Sequence, residues 1–155
     1  MGRMWLGIDP GLDGAAAVLH EDGTVEFFDT PTVKTANKRD YLEDEMAAFL
    51  APFAGQVAAL EQVSGRPGQG TASARSIGLG FGLWRGLLAG YGIGREIAAP
   101  AAWKRAFGLL GADKQASRLK AQQLFPATCD RLKLVKHADR AEALLLAEWC
   151  RRRHG

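Results

Sequence analysis

The sequence predicts an α/β fold, a mixed five-stranded sheet with helices on both faces. Three observations carry this. Apolar runs separated by turn residues fill the first thirty positions. Helix-patterned and strand-patterned segments then alternate to the end of the chain. The 155 residues are 47% apolar and 24% charged, which supports a packed core and excludes disorder as the main character. A single domain over 1–155 is expected, burying about 70% of its unfolded surface.

The elements follow in order. Residues 3–9 form a short apolar strand. Pro10-Gly11-Leu12-Asp13-Gly14 is a tight turn. Residues 15–20 give a second apolar run, Asp22-Gly23 a hairpin signal, and residues 24–28 a third strand. These three read as an antiparallel meander. Asp40 is placed to cap a helix, with Glu43 in the capping-box position. Tyr41, Leu42, Met46, Phe49 and Leu50 then form a helical stripe to about residue 53. Residues 57–63 read as a buried strand and 64–70 as a loop.

A long helix is expected over 71–89. Within it Gly78, Gly82, Gly86 and Gly90 recur every four residues, and each costs about 1 kcal/mol against Ala inside a helix. Tight packing of this row on the sheet is the first expectation; a dimer seam or a nucleic-acid backbone is the alternative. Residues 95–98 form a fifth strand. Pro100 suits the first turn of a helix through residue 106. Asp113 caps a helix over 114–125, which Pro126 stops. A final helix runs from near His137 to about residue 152. The order is β-β-β-α-β-α-β-α, with an insertion before the last helix.

The net charge of +3 conceals an asymmetry. Residues 1–77 hold 6 Lys/Arg and 11 Asp/Glu, net −5; residues 78–155 hold 14 and 6, net +8. With a pI near 9.1, this suits a polyanion partner whose chemistry uses a few carboxylates. No apolar run reaches the ~20 residues of a membrane span, and the N-terminus shows no secretory or transit pattern. Cys129 and Cys150 form neither a metal motif nor a disulfide framework, so a reducing cytoplasm is expected.

Asp9 ends the first strand and Glu61 lies near the end of the fourth. Asp139 and Glu142 are three apart on the last helix and so share a face. If the first and fourth strands are neighbours, all four carboxylates converge at one end of the sheet. Oxygen-only ligands suit Mg²⁺ or Mn²⁺. Two such ions can activate a water and stabilise the leaving oxygen in phosphodiester hydrolysis. His137 could cap the helix or orient a ligand or water.

These residues resemble those of the RuvC-type Holliday junction resolvases of the ribonuclease-H-like superfamily, especially short phage-encoded members. The likeness rests on Gly7-Ile8-Asp9-Pro10-Gly11 and Leu60-Glu61-Gln62-Val63. It extends to Trp103-Lys104, Phe107-Gly108-Leu109, Asp113-Lys114 and Asp139-Arg140-Ala141-Glu142-Ala143-Leu144-Leu145. The motifs stand in family order over nearly the whole chain. The resemblance implies a homodimer cutting two opposed strands of four-way junction DNA in the bacterial or host cytoplasm. It implies catalytic carboxylates at Asp9, Glu61, Asp139 and Glu142, and DNA-phosphate lysines at Lys104 and Lys114. Bacterial members often carry Asp where Glu142 stands. Some carry a base-wedging aromatic after the second motif, where Ser64-Gly65-Arg66 stands here. Arg66 or Arg75 is then expected to contact the junction by charge, with Arg85 further along the same track.

Arg105, Arg118 and Lys120 read first as solvated surface, with a place on the phosphate track as the alternative. Arg151-Arg152-Arg153 reads as a mobile basic tail, and Trp5, Trp84, Trp103 and Trp149 as core or dimer packing. Residues 65–70 lack the Lys-Ser/Thr ending of a phosphate-binding loop, so no nucleotide cofactor is expected. Three other readings stay open: another ribonuclease-H-like nuclease acting on branched DNA or RNA–DNA hybrids, a non-catalytic junction-binding module, and a sugar-kinase-like phosphotransferase.

Overall fold

A computed structural model describes residues 2–63 and 68–155. Strands β1 (Met4–Asp9), β2 (Ala15–His20) and β3 (Val25–Asp29) form the antiparallel meander. A hairpin, β4 (Thr32–Thr35) and β5 (Lys38–Tyr41), precedes helix α1 (Glu43–Leu50). Then come β6 (Val57–Glu61), α2 (Thr71–Gly90), β7 (Gly94–Ala98), α3 (Pro100–Ala106) and α4 (Lys114–Leu124). Two 3₁₀ segments, Pro126–Arg131 and Val135–His137, lead into α5 (Ala138–His154). The main sheet has the order β3-β2-β1-β6-β7, with β1, β6 and β7 parallel. This is the mixed five-stranded sheet that the sequence predicts.

Alternation along the strands divides the core in two. Trp5, Ala15, Ala17 and Leu19 face α3, α4 and α5. Leu6, Ile8, Ala16 and Val18 face α1 and α2. Fully burying each large apolar side chain contributes about 1.5–3 kcal/mol. Helix α5 is buried without a break from Ala141 to Cys150. It lies so close to β1 that a Cβ on Gly7 would sit 2.0 Å from the Ala143 carbonyl oxygen. That contact sets the first turn of α5 beside the end of β1. Among the described residues no helix is long and apolar enough to cross a membrane.

The structure departs from the sequence-based expectations in five respects. Asp40 does not cap α1: it lies in β5, where its Oδ1 accepts from the Tyr41 N–H (2.9 Å). Leu42 precedes the helix without a side-chain cap, and Glu43, Asp44 and Glu45 in the first turn complement its dipole instead. The hairpin itself was not expected, because its turn contains no glycine; Ala36 takes φ 49° there.

The glycine row is not packed on the sheet. Gly78, Gly82, Gly86 and Gly90 are exposed, and an added Cβ meets nothing within 4 Å. The close approach falls at Gly80, where a Cβ would lie 2.3 Å from the Tyr41 hydroxyl.

The basic tail is not free. Arg151 and Arg152 pair with Glu148, and Arg153 with Glu96, while all three continue α5. Arg118 is no solvated cation either, since its guanidinium donates to the Leu132 and Lys133 carbonyls and ties α4 to the loop before α5.

Candidate functional site

The parallel strands β1 and β6 end side by side, so their last residues, Asp9 and Glu61, open at one edge of the sheet. The first turns of α5 bring Asp139 and Glu142 to the same edge. Asp9, Asp139 and Glu142 each present an oxygen, and these oxygens all lie within 4.8 Å of one another. Asp9 and Glu142 are almost wholly buried. Glu61 lines the same cleft of about 580 Å³ but stands outside that trio. Its Oε2 accepts from the Trp103 indole N–H (2.7 Å). The sequence expectation of four converging carboxylates therefore resolves into a tight trio and a fourth acid that shares the cleft with Asp9 and Glu142.

Burial, reinforced by the Glu61 charge, pushes the Asp9 carboxyl well above its usual range. Burial also raises Glu61, against the lowering effect of the Trp103 hydrogen bond, and Glu142, against the pull of Lys114. Such a cluster is costly without compensating cations.

Lys114 supplies part of that compensation. Its ammonium pairs with Asp139 Oδ1 and lies 3.8 Å from Glu142 Oε1. Burial disfavours the charged amine, but Asp9 and Asp139 outweigh this and raise its pKa. Asp113 positions Lys114 by capping α4, accepting from the Gln115 and Ala116 N–H groups at 2.8 and 3.1 Å. One turn on, the Ser117 hydroxyl donates to Glu142 Oε2 (3.1 Å).

An observation internal to the site tests whether a metal fits. Asp9 Oδ2 is buried and has no hydrogen-bond partner among the described residues. An orphaned carboxylate oxygen in an all-oxygen group of three acids is the donor chemistry a hard divalent cation takes. The residues present fit such an ion.

The remaining sequence candidates separate. Lys104 lines the cleft, with its ammonium 5.7 Å from the Trp103 ring centroid. Arg75 and Arg85 are exposed on α2 and line no part of the cleft. Arg85 lies about 18 Å along the helix axis from Ser73, which does line it. Arg66 lies outside the described residues. His137 is buried, and its Nδ1 accepts from the Leu134 N–H (3.2 Å) within the turn that starts α5.

Two functional contacts were not legible in the sequence. Trp103 is fully buried, as its apolar setting implies, yet it also holds Glu61. Ser117 carries no motif signal; its place one turn after Lys114 on a capped helix was the available clue.

No protein-family model matches the chain. Over 84 residues, 54% of the chain, it is 39% identical to a chloroplastic Holliday junction resolvase of Chlamydomonas reinhardtii. The match spans 10% of that protein, so the chain covers about a tenth of its relative's length. Among solved structures, it is similar to RuvC of Thermus thermophilus (TM-score 0.60, 19% identity, 93% of this chain and 90% of that one). The same protein in complex with a Holliday junction substrate gives TM-score 0.57 at 18% identity, over 94% and 90% of the two chains. The fowlpox virus Holliday junction resolvase gives TM-score 0.54 at 15% identity, over 96% and 99%. The chain has the ribonuclease-H-like fold of RuvC, with the mixed sheet and helices on both faces.

Proposed function

We propose that this chain is a metal-dependent, structure-selective DNA endonuclease that resolves four-way junctions by paired phosphodiester hydrolysis. The observation that carries the reading is the carboxylate trio with its orphaned Asp9 oxygen, at the edge of a sheet folded as in RuvC. The local identity to a curated junction resolvase supports the choice of substrate.

In this reading Asp9, Asp139 and Glu142 hold Mg²⁺ or Mn²⁺, with Glu61 completing a site for two ions. Bound ions would supply charge neutralisation of the scissile phosphate and a water acidic enough to attack it. The chain's own groups fix the geometry. Trp103 holds one oxygen of Glu61, and Ser117 holds one of Glu142. Gly7 lets α5 seat its two acids beside Asp9. Lys104 faces the cleft as a cation for the DNA backbone. Lys114 sits within the acids and neutralises part of their charge; a bound cation would free its ammonium for a phosphate of the DNA. Arg75 and Arg85 lie on α2, where a junction arm can reach them, and Arg66 belongs to the same track by sequence.

Paired nicks need two sites related by a two-fold axis, which a homodimer provides. The exposed row from Gly78 to Gly90 offers a surface on which a second copy's helix can approach closely. Light scattering of Gly82→Arg should then report monomer where the unaltered chain reports dimer. The unpaired thiols of Cys129 and Cys150 suit a reducing compartment such as the cytoplasm.

The substrate claim is tested by incubating the protein in Mg²⁺ or Mn²⁺ with a mobile four-way junction, linear duplex and an RNA–DNA hybrid. Selective cutting of the junction is expected. Preferential cutting of the hybrid would replace this reading with the related nuclease one, and binding without cutting would favour a junction-binding module.

A further inference from the structure

Asp139 lines a second cavity, of about 460 Å³, that the cleft does not include. Asp9 and Glu142 line the cleft, and the three acids' oxygens lie within 4.8 Å, so the two cavities adjoin at the carboxylates. Thr30, Lys136 and His137 also line the second cavity, as do two arginines already paired with lining carboxylates, Arg140 with Asp29 (2.7 Å) and Arg39 of β5 with Asp13. Arg39 docks the hairpin onto the β1–β2 turn, donating to Asp13 Oδ1 (2.8 Å) and to the Leu12 carbonyl (3.1 Å). The hairpin therefore stands beside the acids, on the flank away from Lys104.

Four observations on this flank point to an anionic ligand. Thr30 is buried, and its hydroxyl has no hydrogen-bond partner among the described residues. His137 accepts at Nδ1, so the neutral ring carries its proton on Nε2, a donor without a protein partner among the described residues. Lys136 is exposed and forms no ion pair among the described residues. Lys34 stands directly opposite Arg39 across the hairpin, a like-charge juxtaposition that costs the fold stability.

Charge distribution adds to this. Lys34, Lys38 and Arg39 are three of the six basic residues in the acidic first half of the chain. Lys34 and Lys38 are exposed, and the hairpin strands run about 13 Å. Half of that segment's positive charge is thus gathered on one hairpin beside the acids, where Lys38 pairs with Asp40 (3.6 Å), Arg39 pairs with Asp13 (2.8 Å), and Lys34 has no ion pair among the described residues.

We propose that this flank is a second DNA-backbone subsite. One phosphate, adjacent to the phosphate at the carboxylates, seats against Lys136, the Thr30 hydroxyl and the His137 Nε2–H, and the strand continues along the hairpin past Lys34 and Lys38. The inference rests on the nuclease reading for the identity of the polyanion, and it names a partner surface that neither the cleft nor α2 supplies. Phosphate contacts of this kind fix the register of DNA without reading its sequence.

The experiment is a salt titration of four-way-junction affinity in Ca²⁺, followed by cutting in Mg²⁺. Lys34→Ala/Lys38→Ala should weaken binding by about tenfold or more near physiological salt. It should make the slope of log affinity against log salt shallower by about two units, and Lys136→Ala by about one. Thr30→Val should weaken binding without lowering the thermal midpoint, since the hydroxyl has no partner to lose. Arg95→Ala is the control: Arg95 is exposed at the opposite end of the parallel strands and should leave both quantities unchanged.

Unchanged affinity and slope in the hairpin and Lys136 variants of a protein that cuts junctions would overturn the subsite and leave the nuclease reading intact. Weakened binding by those variants in a protein that binds but never cuts would do the reverse.

Discussion

A methyl group on Gly7 would lie 2.0 Å from the carbonyl oxygen of Ala143 and 2.4 Å from the Ala147 nitrogen, so β1 and α5 meet backbone to backbone. Two residues along the strand is Asp9, and one residue before Ala143 is Glu142. The spacing of two of the three clustered acids is thus set by the lack of a side chain at Gly7.

Gly7→Ala should therefore destabilise the protein by about 3 kcal/mol or more, because neither backbone can give way without breaking its hydrogen bonds. Gly82→Ala, in the open row on α2, should do the opposite and raise the stability of the monomer by roughly 1 kcal/mol. Urea unfolding of both variants, at protein concentrations low enough to keep the chain monomeric, checks the pair. Equal effects of the same sign would contradict the packing described here.

Trp103→Phe keeps the ring in the core but removes the indole N–H that holds Glu61 Oε2. Cutting should slow by about tenfold or more, the cost of one hydrogen bond to a buried charged group. Junction affinity in Ca²⁺ should hardly change. A loss of folding stability with cutting unaltered would reduce Trp103 to a core residue.

Lys104 and Lys114 are alike in sequence but not in setting. Lys104→Ala should make the salt slope of junction binding shallower by about one unit. Lys114→Ala should in addition lower the Mg²⁺ concentration that half-saturates cutting, because its ammonium occupies the same acids a divalent ion would. Identical behaviour of the two variants in both titrations would contradict this division.

Glu148 provides a pH test away from the site. Burial pushes its carboxyl up, but the hydrogen bonds from Arg151 and Arg152 more than offset this and leave it below its usual value. A depressed folded-state pKa means stability that is full above the unfolded value of about 4.3 and is lost as pH falls through the folded value. The stability gap between the unaltered protein and Glu148→Gln should thus be widest near neutrality and close below about pH 4. A gap independent of pH would show that Glu148 is not held by these arginines.

What could be read from the sequence was the part with local signals. Asp113 caps α4 with its own side chain, and Pro100 opens α3, because caps and first-turn prolines act within a few residues. The meander and the positions of Asp9 and Glu61 followed from turn chemistry and apolar runs. The hairpin did not, since a turn through Ala36 at φ 49° carries none of the glycine signals that mark such turns. The glycine row misled because spacing names a face without saying which way the face points; Tyr41, far away in sequence, selects Gly80 for the close contact instead. Lys114 among the acids and Trp103 on Glu61 are tertiary contacts over 25 and 42 residues, which no local pattern encodes.

The central claim is that the buried acids are the seat of metal-dependent junction cutting, and Asp9→Asn addresses it most directly. The substitution preserves size and removes the charge whose Oδ2 has no partner among the described residues. On a mobile four-way junction in Mg²⁺, the unaltered protein should give symmetrically paired nicks. Asp9→Asn should give none while binding the junction in Ca²⁺ as before, and its metal-free melting temperature should rise. Paired nicking by Asp9→Asn at the unaltered rate would contradict the account.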